Sequence, residues 1–413
     1  MLSNALGAAI RHEWDLDPGF LTVNHGSFGA TPRVVLAAQD SWRKRMEAQP
    51  TRFFALELPP ALREAAAILA RFLGVEAEDV VFVPNATTGC NAVLRSLRLQ
   101  AGDEILHVSH VYNAVRNTIG HVAERAGASV VVADVPFPRT EAAAILKNIE
   151  KAITKRTRLA VIDHITSPSG RSRSVCGAAC AEPAASHAAT ADAPGLVLPI
   201  EGIIRLCHAA DVPVLVDGTH GPGQVPLNLT TLDADWYVGN CHKWLSAPKG
   251  CRFIHARRDR QAELHPVTIS HGYGEGFTTE FDWTGTVDPT AFLALPAALD
   301  FFARLGGAAL MERNRRLAAE AGALVAARLE TEVGGSFETA GSMASVRLPI
   351  SRESKRSEAV AVRRTLYAAG MDSPVHPLAG GMWLRLSAYA YNEIEDYERL
   401  AERLPAALAK LGD

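Results

Sequence analysis

The chain has 413 residues, of which 48% are hydrophobic and 21% charged, so it is long enough for a large and a smaller domain with a full core. Its formal net charge of −3 gives no electrostatic reason to expect a nucleic-acid or membrane-surface partner, and no apolar run approaches the ~20 residues that cross a bilayer. Residues 1–20 lack the features of a signal peptide and six scattered cysteines do not form a disulfide framework, so we expect a reduced, cytoplasmic protein.

Helix and strand patterns alternate through the first half of the sequence. Residues 31–49 predict a helix with Thr31 as its N-cap and Pro32 at its first position, and residues 59–74 predict an amphipathic helix that ends at Gly74. Further helices are predicted at 141–153 and 199–210. Short β-rich runs predict strands at 80–83, 104–108, 129–135, 159–165, 212–218, 236–239 and 251–256. This alternation predicts an α/β domain with a mostly parallel sheet covered by helices on both faces.

The pattern changes near residue 290. Residues 31–290 form the predicted large domain, and residues 291–413, which are helical at first and then include strands near 344–350 and 382–388, predict a smaller α+β domain. Residues 171–195 are rich in Ala and Ser without an apolar period, which indicates an inserted loop. Cys176, Cys180 and His187 lie in this insertion, but a fourth ligand is missing, so we predict no metal site.

Small and hydroxyl residues follow the predicted strand at 80–83. Ala86, Thr87, Thr88 and Gly89 open the next helix, where free N–H groups, the helix dipole and two hydroxyls suit a phosphate group. Ligands of open α/β sheets bind beyond the carboxyl ends of the strands, so the position favours the same interpretation. Taken alone, these residues are also compatible with an ordinary helix cap.

Two later strand ends carry Asp217 and Lys243, the second within the segment GNCHKWLSAPKG (239–250). A buried carboxylate can keep a heterocyclic nitrogen protonated, as the pyridine nitrogen of pyridoxal phosphate requires, although an Asp at this position can also be a turn residue. A desolvated lysine can form an imine with an aldehyde. A phosphate site, a carboxylate and a lysine in this order predict a pyridoxal-phosphate site.

Several ordered motifs resemble one enzyme family. The segments ATTG (86–89), VDGTHGPGQ (216–224), NCHKWLSAPKG (240–250) and FDWTGTVDP (281–289) resemble the class V aminotransferase family of fold-type I pyridoxal-phosphate enzymes. NHGSFGATP (24–32) and SHGYGEG (270–276) are most similar to its isopenicillin N epimerase group. The resemblance covers nearly the whole chain apart from the insertion. It implies an aspartate aminotransferase-like fold with a seven-stranded sheet in the large domain, and an N-terminal segment, residues 1–30, that contributes to the active site and the small domain.

The resemblance also implies roles for individual residues around the cofactor. Lys243 would form a Schiff base with the cofactor and move the Cα proton, while Asp217 would pair with the pyridinium nitrogen. His220 would lie near the phenolic oxygen and Tyr112 over the ring face. The residues expected at the phosphate are Ala86, Thr87, Thr88, Asn240 and His242.

Other implied roles concern the substrate and a second chain. Relatives are dimers with shared active sites, and Thr286 matches the residue whose hydroxyl reaches the partner's phosphate. Arg385 matches the arginine that binds the substrate carboxylate, and Asn24 and His25 fall on a loop near the substrate. The expected partners are therefore an amino-acid substrate and a second copy of the chain.

The motifs leave the reaction open. An isopenicillin N epimerase-like reaction is favoured, while a C–S lyase acting on a cysteine conjugate or sulfoxide, like the hercynylcysteine sulfoxide lyase of ergothioneine synthesis, and an aminotransferase share the same residues. Epimerisation needs a second proton donor, for which Tyr112, His220 and His271 are candidates. A desulfurase mechanism is disfavoured because residues 352–384 contain no cysteine.

Two further classes fit the sequence less well. A nucleotide-binding protein is disfavoured because the chain lacks both G-x-x-x-x-G-K-[ST] and a strand-following G-x-G-x-x-G. A cofactor-free structural relative, with a site spoiled by the insertion, is disfavoured because Lys243, Asp217 and Arg385 are all present.

Overall fold

A computed structural model of the protein describes residues 6–167, 195–336, 338–350 and 355–411. The predicted insertion, with Cys176, Cys180 and His187, therefore lies outside the described residues except for Gly195. The strands are β1 Leu21–Thr22, β2 Val80–Val83, β3 Glu104–Val108, β4 Ser129–Ala133, β5 Thr157–Asp163, β6 Val214–Gly218, β7 Trp236–Asn240, β8 Arg252–Ala256, β9 Val333–Gly334, β10 Met343–Arg347, β11 Met371–Asp372, β12 Val375–Leu378 and β13 Gly381–Ser387.

The helices cover both faces of the main sheet and most of the C-terminal part. They are α1 His25–Phe28, α2 Arg33–Ala48, α3 Pro50–Arg52, α4 Leu58–Leu73, α5 Ala86–Ser96, α6 Asn113–Ala126, α7 Ala142–Ala152, α8 Ile200–His208, α9 Leu229–Leu232, α10 Phe277–Asp282, α11 Thr290–Leu293, α12 Leu295–Arg304, α13 Ala308–Leu329, α14 Arg356–Ala368 and α15 Ile394–Ala409. A π-helical segment, Phe53–Glu57, joins α3 to α4.

The central sheet has the order β2-β8-β7-β6-β5-β3-β4. β8 is antiparallel to both of its neighbours, and the other pairs in the described sheet are parallel. β2, β3, β6 and β7 are buried along their whole length, as expected for strands covered on both faces. The predicted fold class, a mostly parallel sheet between helices with a smaller C-terminal unit, is confirmed.

A second core lies in the C-terminal part. The sheet β12-β13-β10-β9 packs against α13, α14 and α15 around buried side chains that begin at Leu317. α12 and the start of α13 belong instead to the core of the central sheet, because Phe302 and Leu310 pack there. The domain boundary at 290/291 stays a prediction.

The N-terminal segment is tied to the second core. β1 pairs in parallel with β11, so Leu21 is the register partner of Met371. Leu21 and Val23 are buried in the C-terminal core, although they precede the central sheet in the chain. This pairing carries the residues that follow, Asn24–Ser27, to the junction of the two cores.

The predicted elements of the central sheet match the structure, with one helix start displaced. α2 begins at Arg33, and Pro32 occupies its N-cap with extended backbone. The Thr31 hydroxyl donates to the Ala247 carbonyl at 3.3 Å and does not cap the helix, so the prediction of Thr31 as N-cap was wrong. Gly74 ends α4 in the left-handed conformation, with φ of 71°, as predicted.

No single described helix is long and apolar enough to cross a membrane. Thr290–Arg304 and Ala308–Leu329 reach that length and composition only as a pair, and they are bent by 70° at the break between them.

Candidate active site

The predicted site residues converge because β5, β6 and β7 run parallel and end at the same edge of the sheet. Asp163 and Asp217 are register partners on β5 and β6, and Gly218 is the partner of Gly239 on β7. The loops that follow β6 and β7 therefore leave the sheet side by side. His220 lies on the first loop and Lys243 on the second, and the sheet register places both at this edge.

Lys243 is buried, and its amine contacts His220. Its Nζ lies 2.9 Å from His220 Nε2. Burial is the main cause that lowers the pKa of Lys243 from 10.5 to about 7; the positive charge of Arg385 adds to it and Asp217 opposes it. A lysine with this pKa is partly unprotonated near neutral pH, which is the form that attacks a carbonyl carbon or accepts a proton.

The backbone of the Lys243 loop is held from the N-terminal segment. His25 Nε2 donates to the Lys243 carbonyl at 3.0 Å, and His25 Nδ1 contacts the Tyr391 hydroxyl at 2.9 Å. Gly29 passes so close that a Cβ there would lie 2.1 Å from the His242 carbonyl oxygen. His25 is buried and both of its ring nitrogens are occupied, so it supports the loop, and its predicted contact with substrate stays a prediction.

Asp217 is a buried carboxylate with two donors from one neighbour. Thr219 donates to Asp217 Oδ1 from its backbone N–H, at 3.1 Å, and from its hydroxyl. Burial raises the pKa of Asp217, and the Thr219 hydrogen bonds and Lys243 oppose that rise. A cationic ring nitrogen placed against Asp217 would stabilise its charged form, which is consistent with the predicted role.

Asp163 is a second buried carboxylate that the sequence analysis did not identify. Neither of its side-chain oxygens has a side-chain donor among the described residues. Burial and the neighbouring Asp217 charge raise its pKa well above the usual range, and the backbone amides of Tyr112 and Ser167 oppose this rise. The two carboxylates disfavour each other's ionisation because register places them on adjacent strands.

The predicted phosphate-binding residues lie at the start of α5. Asn85 caps the helix and accepts hydrogen bonds from the Thr88 backbone N–H at 2.6 Å and from the Thr88 hydroxyl at 2.9 Å. The first N–H groups of the helix, at Ala86 and Thr87, have no partner within an α-helix. His242 Nδ1, which register places at the same edge, is buried and has no hydrogen-bond partner among the described residues.

Asn240 and Arg252 complete this end of the site. Asn240 Oδ1 is also buried and makes no hydrogen bond within the described part of the chain, and Arg252 is the cross-strand neighbour of Asn240 on β8. The Arg252 guanidinium donates to the Pro84 carbonyl just before α5 and lies 3.5 Å from His242 Nε2. Unpartnered polar atoms, a helix N-terminus and a cation are the groups that a phosphate requires, so these residues could hold the phosphate of a cofactor.

Arg385 is a buried cation whose described side-chain partners are neutral. Its guanidinium donates to Asn24 Oδ1 at 3.1 Å and to Ser27 Oγ at 2.7 Å, while its Nε has no partner. Asn24 is itself oriented by Asp372, whose carboxylate accepts from Asn24 Nδ2 at 3.0 Å. Burial, with Arg363 nearby, lowers the pKa of Arg385 to about 10. A buried guanidinium without a carboxylate partner suits a carboxylate ligand.

Three predicted residues lie on the surface. Tyr112 is 39% exposed and immediately precedes α6, and Thr286 and His271 are also exposed. The structure gives none of them a hydrogen bond to Lys243, Asp217 or His220.

The described cysteines are not nucleophiles of this site. Cys90, Cys207, Cys241 and Cys251 are buried free thiols. Burial raises the pKa of Cys207 to about 12 and that of Cys90 and Cys251 well above the usual range, which disfavours the thiolate. Within the described ranges, no group of three or more His, Cys, Asp or Glu residues is placed to hold a metal ion.

Sequence and structure comparisons agree on the family and the fold. A family profile described as aminotransferase class-V matches residues 29–193 and 183–400. Isopenicillin N epimerase of Amycolatopsis lactamdurans is 32% identical over 96% of this chain and 97% of that protein. An L-cysteine desulfhydrase of Arabidopsis thaliana is 27% identical over 94% of this chain and 87% of that protein. The structure is also similar to that of a C-DES variant with glycine covalently linked to its pyridoxal-phosphate cofactor. The TM-score is 0.74 and the sequence identity 21%, and the match covers 95% of this chain and 98% of that chain.

Proposed function

The chain belongs to the class V aminotransferase family and is a pyridoxal-phosphate enzyme, and from this premise we propose that it is a C–S lyase acting on an L-cysteine-type amino acid. With cysteine as the substrate, the overall reaction consumes water and releases pyruvate, ammonia and hydrogen sulfide. Epimerisation at Cα is the second candidate.

The buried residues at the sheet edge have complementary roles toward the cofactor. Lys243 would hold the aldehyde carbon of the cofactor, and Asp217 would pair with its ring nitrogen. His242, Arg252 and the N–H groups that begin α5 would bind its phosphate, an assignment supported by His242 Nδ1, which lacks a hydrogen-bond partner among the described residues. When bound, pyridoxal phosphate supplies the electron sink that acidifies the Cα–H bond of an amino acid.

Substrate binding and proton transfer are assigned to two cations. Arg385 binds the substrate carboxylate through paired N–H groups, and Asn24 keeps its guanidinium oriented. Lys243 Nζ accepts the Cα proton, because its lowered pKa leaves the amine partly unprotonated near neutral pH. The same Nζ then gives a proton to the sulfur that leaves Cβ, so one group serves both proton transfers.

The observation that favours elimination over epimerisation is that the buried proton-transfer groups cluster around Lys243. His220, one candidate for a second donor, contacts Lys243 Nζ itself, and neither Tyr112 nor His271 has a described hydrogen bond to Lys243, Asp217 or His220 of the same chain. Elimination needs one such group, whereas epimerisation needs donors on both faces of Cα.

The desulfurase alternative, in which sulfur passes to a protein thiol, is disfavoured by the cysteines. The four described cysteines are buried, and burial raises the pKa of Cys90, Cys207 and Cys251, which disfavours sulfur transfer to any of these three and favours release of free sulfide or thiol.

The epimerase candidate is supported by the identity of 32% to isopenicillin N epimerase over nearly the full length of both chains. The enzyme, loaded with pyridoxal phosphate, should be incubated in deuterated water with L-cysteine, an S-alkyl cysteine or a penicillin-type amino acid. The lyase predicts pyruvate and a sulfur product at equal rates. A D-isomer with deuterium at Cα and no pyruvate would instead establish the epimerase.

A shared active site in a homodimer is also part of the proposal. Thr286 lies on an exposed segment that carries apolar side chains in solvent, among them Tyr273 and Val287, each 60% exposed. Apolar exposure of this extent suits a surface that a second copy covers, with Thr286 reaching the partner's phosphate site. Sedimentation should give a dimer, and Thr286→Ala should weaken cofactor retention; a monomer that binds cofactor equally well would refute this part.

A further inference from the structure

The indole of Trp244 determines which nitrogen of His220 carries a proton. Trp244 Nε1 lies 3.2 Å from His220 Nδ1, and the Trp244 side chain is completely buried. An indole N–H can only donate a hydrogen bond, so His220 Nδ1 is the acceptor. A neutral imidazole has a single N–H, and in His220 that hydrogen must therefore lie on Nε2.

His220 is neutral, and its Nε2 faces the amine of Lys243. Burial lowers the pKa of His220 well below 6.5, and the charges of protonated Lys243 and of Arg385 add to this effect. Its Nε2 lies 2.9 Å from Lys243 Nζ and 3.3 Å from Ser167 Oγ. An Nε2–H group can donate to the lone pair of a neutral amine, whereas two donors would face each other if Lys243 were an ammonium.

We propose that Trp244 is a positioning residue for Lys243: its hydrogen bond fixes the Nε2–H tautomer of His220, and His220 in turn keeps Lys243 Nζ unprotonated. Without the indole donor, His220 can place its hydrogen on Nδ1 and accept from an ammonium through Nε2. Loss of this one N–H group therefore favours protonated Lys243. The catalytic consequence rests on the function proposed above, but the tautomer is a property of the chain alone.

Other charged groups face Lys243 and are unchanged by the tautomer. They are Arg385 on β13, Asp217 on β6 and Arg252 on β8. Their charges are the same with and without the indole donor. A change in the pKa of Lys243 on loss of that donor can therefore be attributed to the tautomer of His220.

Trp244 also has packing contacts that a test must preserve. Its ring lies 5.4 Å from that of His25 and 6.2 Å from that of Tyr389. A phenylalanine would leave a cavity there, so the appropriate change is Trp244→3-benzothienylalanine, which keeps the ring shape and replaces N–H by sulfur. Trp383 offers a matched control, because it is 1% exposed and its Nε1 donates to the Leu378 carbonyl at 2.9 Å.

The test uses the full-length chain freed of cofactor and labelled with nitrogen-15 in its histidines. NMR correlation through two bonds distinguishes the two imidazole tautomers, and His220→Gln identifies the His220 signal. We expect the Nε2–H tautomer in the unmodified protein and in the Trp383→3-benzothienylalanine protein. With the analogue at position 244, the Nδ1–H tautomer should be populated. An Nδ1–H tautomer in the unmodified protein would overturn the proposal.

The second readout is the protonation of Lys243 in the same three proteins. Reductive methylation across pH, quantified by peptide mapping, gives the apparent pKa of the amine. Loss of one hydrogen bond predicts that this pKa rises by about one unit with the analogue at Trp244 and is unchanged with the analogue at Trp383. Equal values for the two substituted proteins would refute the role assigned to Trp244.

A separate titration distinguishes this inference from the proposed function. Pyridoxal phosphate is added to each protein, and binding is followed by visible absorbance and by borohydride fixation to Lys243. If the cofactor fails to attach, the proposed function is wrong while the NMR result on the cofactor-free chain still decides the role of Trp244. If it attaches and the tautomer does not change with the analogue at position 244, only the present inference fails.

Discussion

Replacement of Lys243 by methionine should stabilise the cofactor-free chain, most strongly at and below pH 7. The pKa of Lys243 is about 7 in the folded chain against 10.5 ordinarily, and each pKa unit corresponds to 1.36 kcal/mol. Well below pH 7 the lysine is protonated in both the folded and the unfolded chain. The folded chain then bears the full cost of burying the ammonium charge, about 5 kcal/mol as an upper estimate. Methionine fills a similar volume and has no charge to bury.

The pH dependence makes this prediction specific. Between pH 7 and 10.5 the unfolded chain binds the Lys243 proton and the folded chain does not, so stability rises with pH in the natural protein. Methionine removes that contribution. The advantage of Lys243→Met in unfolding free energy should therefore shrink by about 2.3 kcal/mol from pH 7, where the folded lysine is half protonated, to pH 9.

Urea denaturation of the cofactor-free proteins at several pH values measures this difference. Lys44→Met, which removes an exposed lysine from α2, is the control and should change stability by less than about 0.5 kcal/mol at every pH. An advantage of Lys243→Met that stays constant between pH 7 and 9 would contradict the reasoning, because Lys243 would then not titrate in that range when folded.

Three further predictions concern the residues around this lysine. Arg385→Met should raise KM for amino-acid substrates about 100-fold or more without loss of cofactor, because two charge-assisted hydrogen bonds are removed; equal kinetics would exclude Arg385 from the carboxylate site. Asp163→Asn should stabilise the cofactor-free chain to urea by about 1–3 kcal/mol, since it removes a buried carboxylate without side-chain donors beside Asp217, and a loss of stability would show that the charge is needed. Gly218→Ala should lower the unfolding free energy by about 1–3 kcal/mol, because its Cβ would lie 2.0 Å from the Tyr237 ring; an unchanged denaturation midpoint would contradict that close packing.

The central part of the site could be predicted because it follows from strand order. Asp217 lies at the end of one apolar strand and Lys243 just past the next, and parallel strands that end at one edge must bring such residues together. The proposed phosphate site at Thr87 follows from the same rule, because a helix start after a strand presents free N–H groups. No long-range information is needed for these residues.

Other residues of the site depend on pairings that sequence patterns do not encode. Arg252 reaches the phosphate end because it is the cross-strand partner of Asn240, and Asp163 faces Asp217 because of register between β5 and β6. A one-residue shift of register would send either side chain to the other face of the sheet. The sequence shows an Asp at the end of β5 and an Arg at the start of β8. Without the strand register, however, neither residue could be assigned to the site.

His25 illustrates a second limit on predicting site residues from the sequence. Its position in the motif NHGSFG indicates a site residue, yet its partners are the Lys243 carbonyl and the Tyr391 hydroxyl, which lies 366 residues further along the chain. The same motif contains Asn24, which does reach Arg385. Neighbouring residues of one loop thus contact different parts of the chain. Only the tertiary structure distinguishes His25, which supports the Lys243 loop, from Asn24, which contacts the proposed carboxylate-binding Arg385.

The pairing of β1 with β11 has a consequence for synthesis of the protein on the ribosome. The segment that orients Arg385 and supports the Lys243 loop is synthesised before its partners Asp372 and Tyr391, which follow 348 residues after Asn24 and 366 residues after His25. At typical translation rates, the earlier segment waits roughly 20–70 s for them. The site is therefore assembled only after Tyr391 has been synthesised, and a chain truncated before Tyr391 should release this earlier segment to proteases or chaperones.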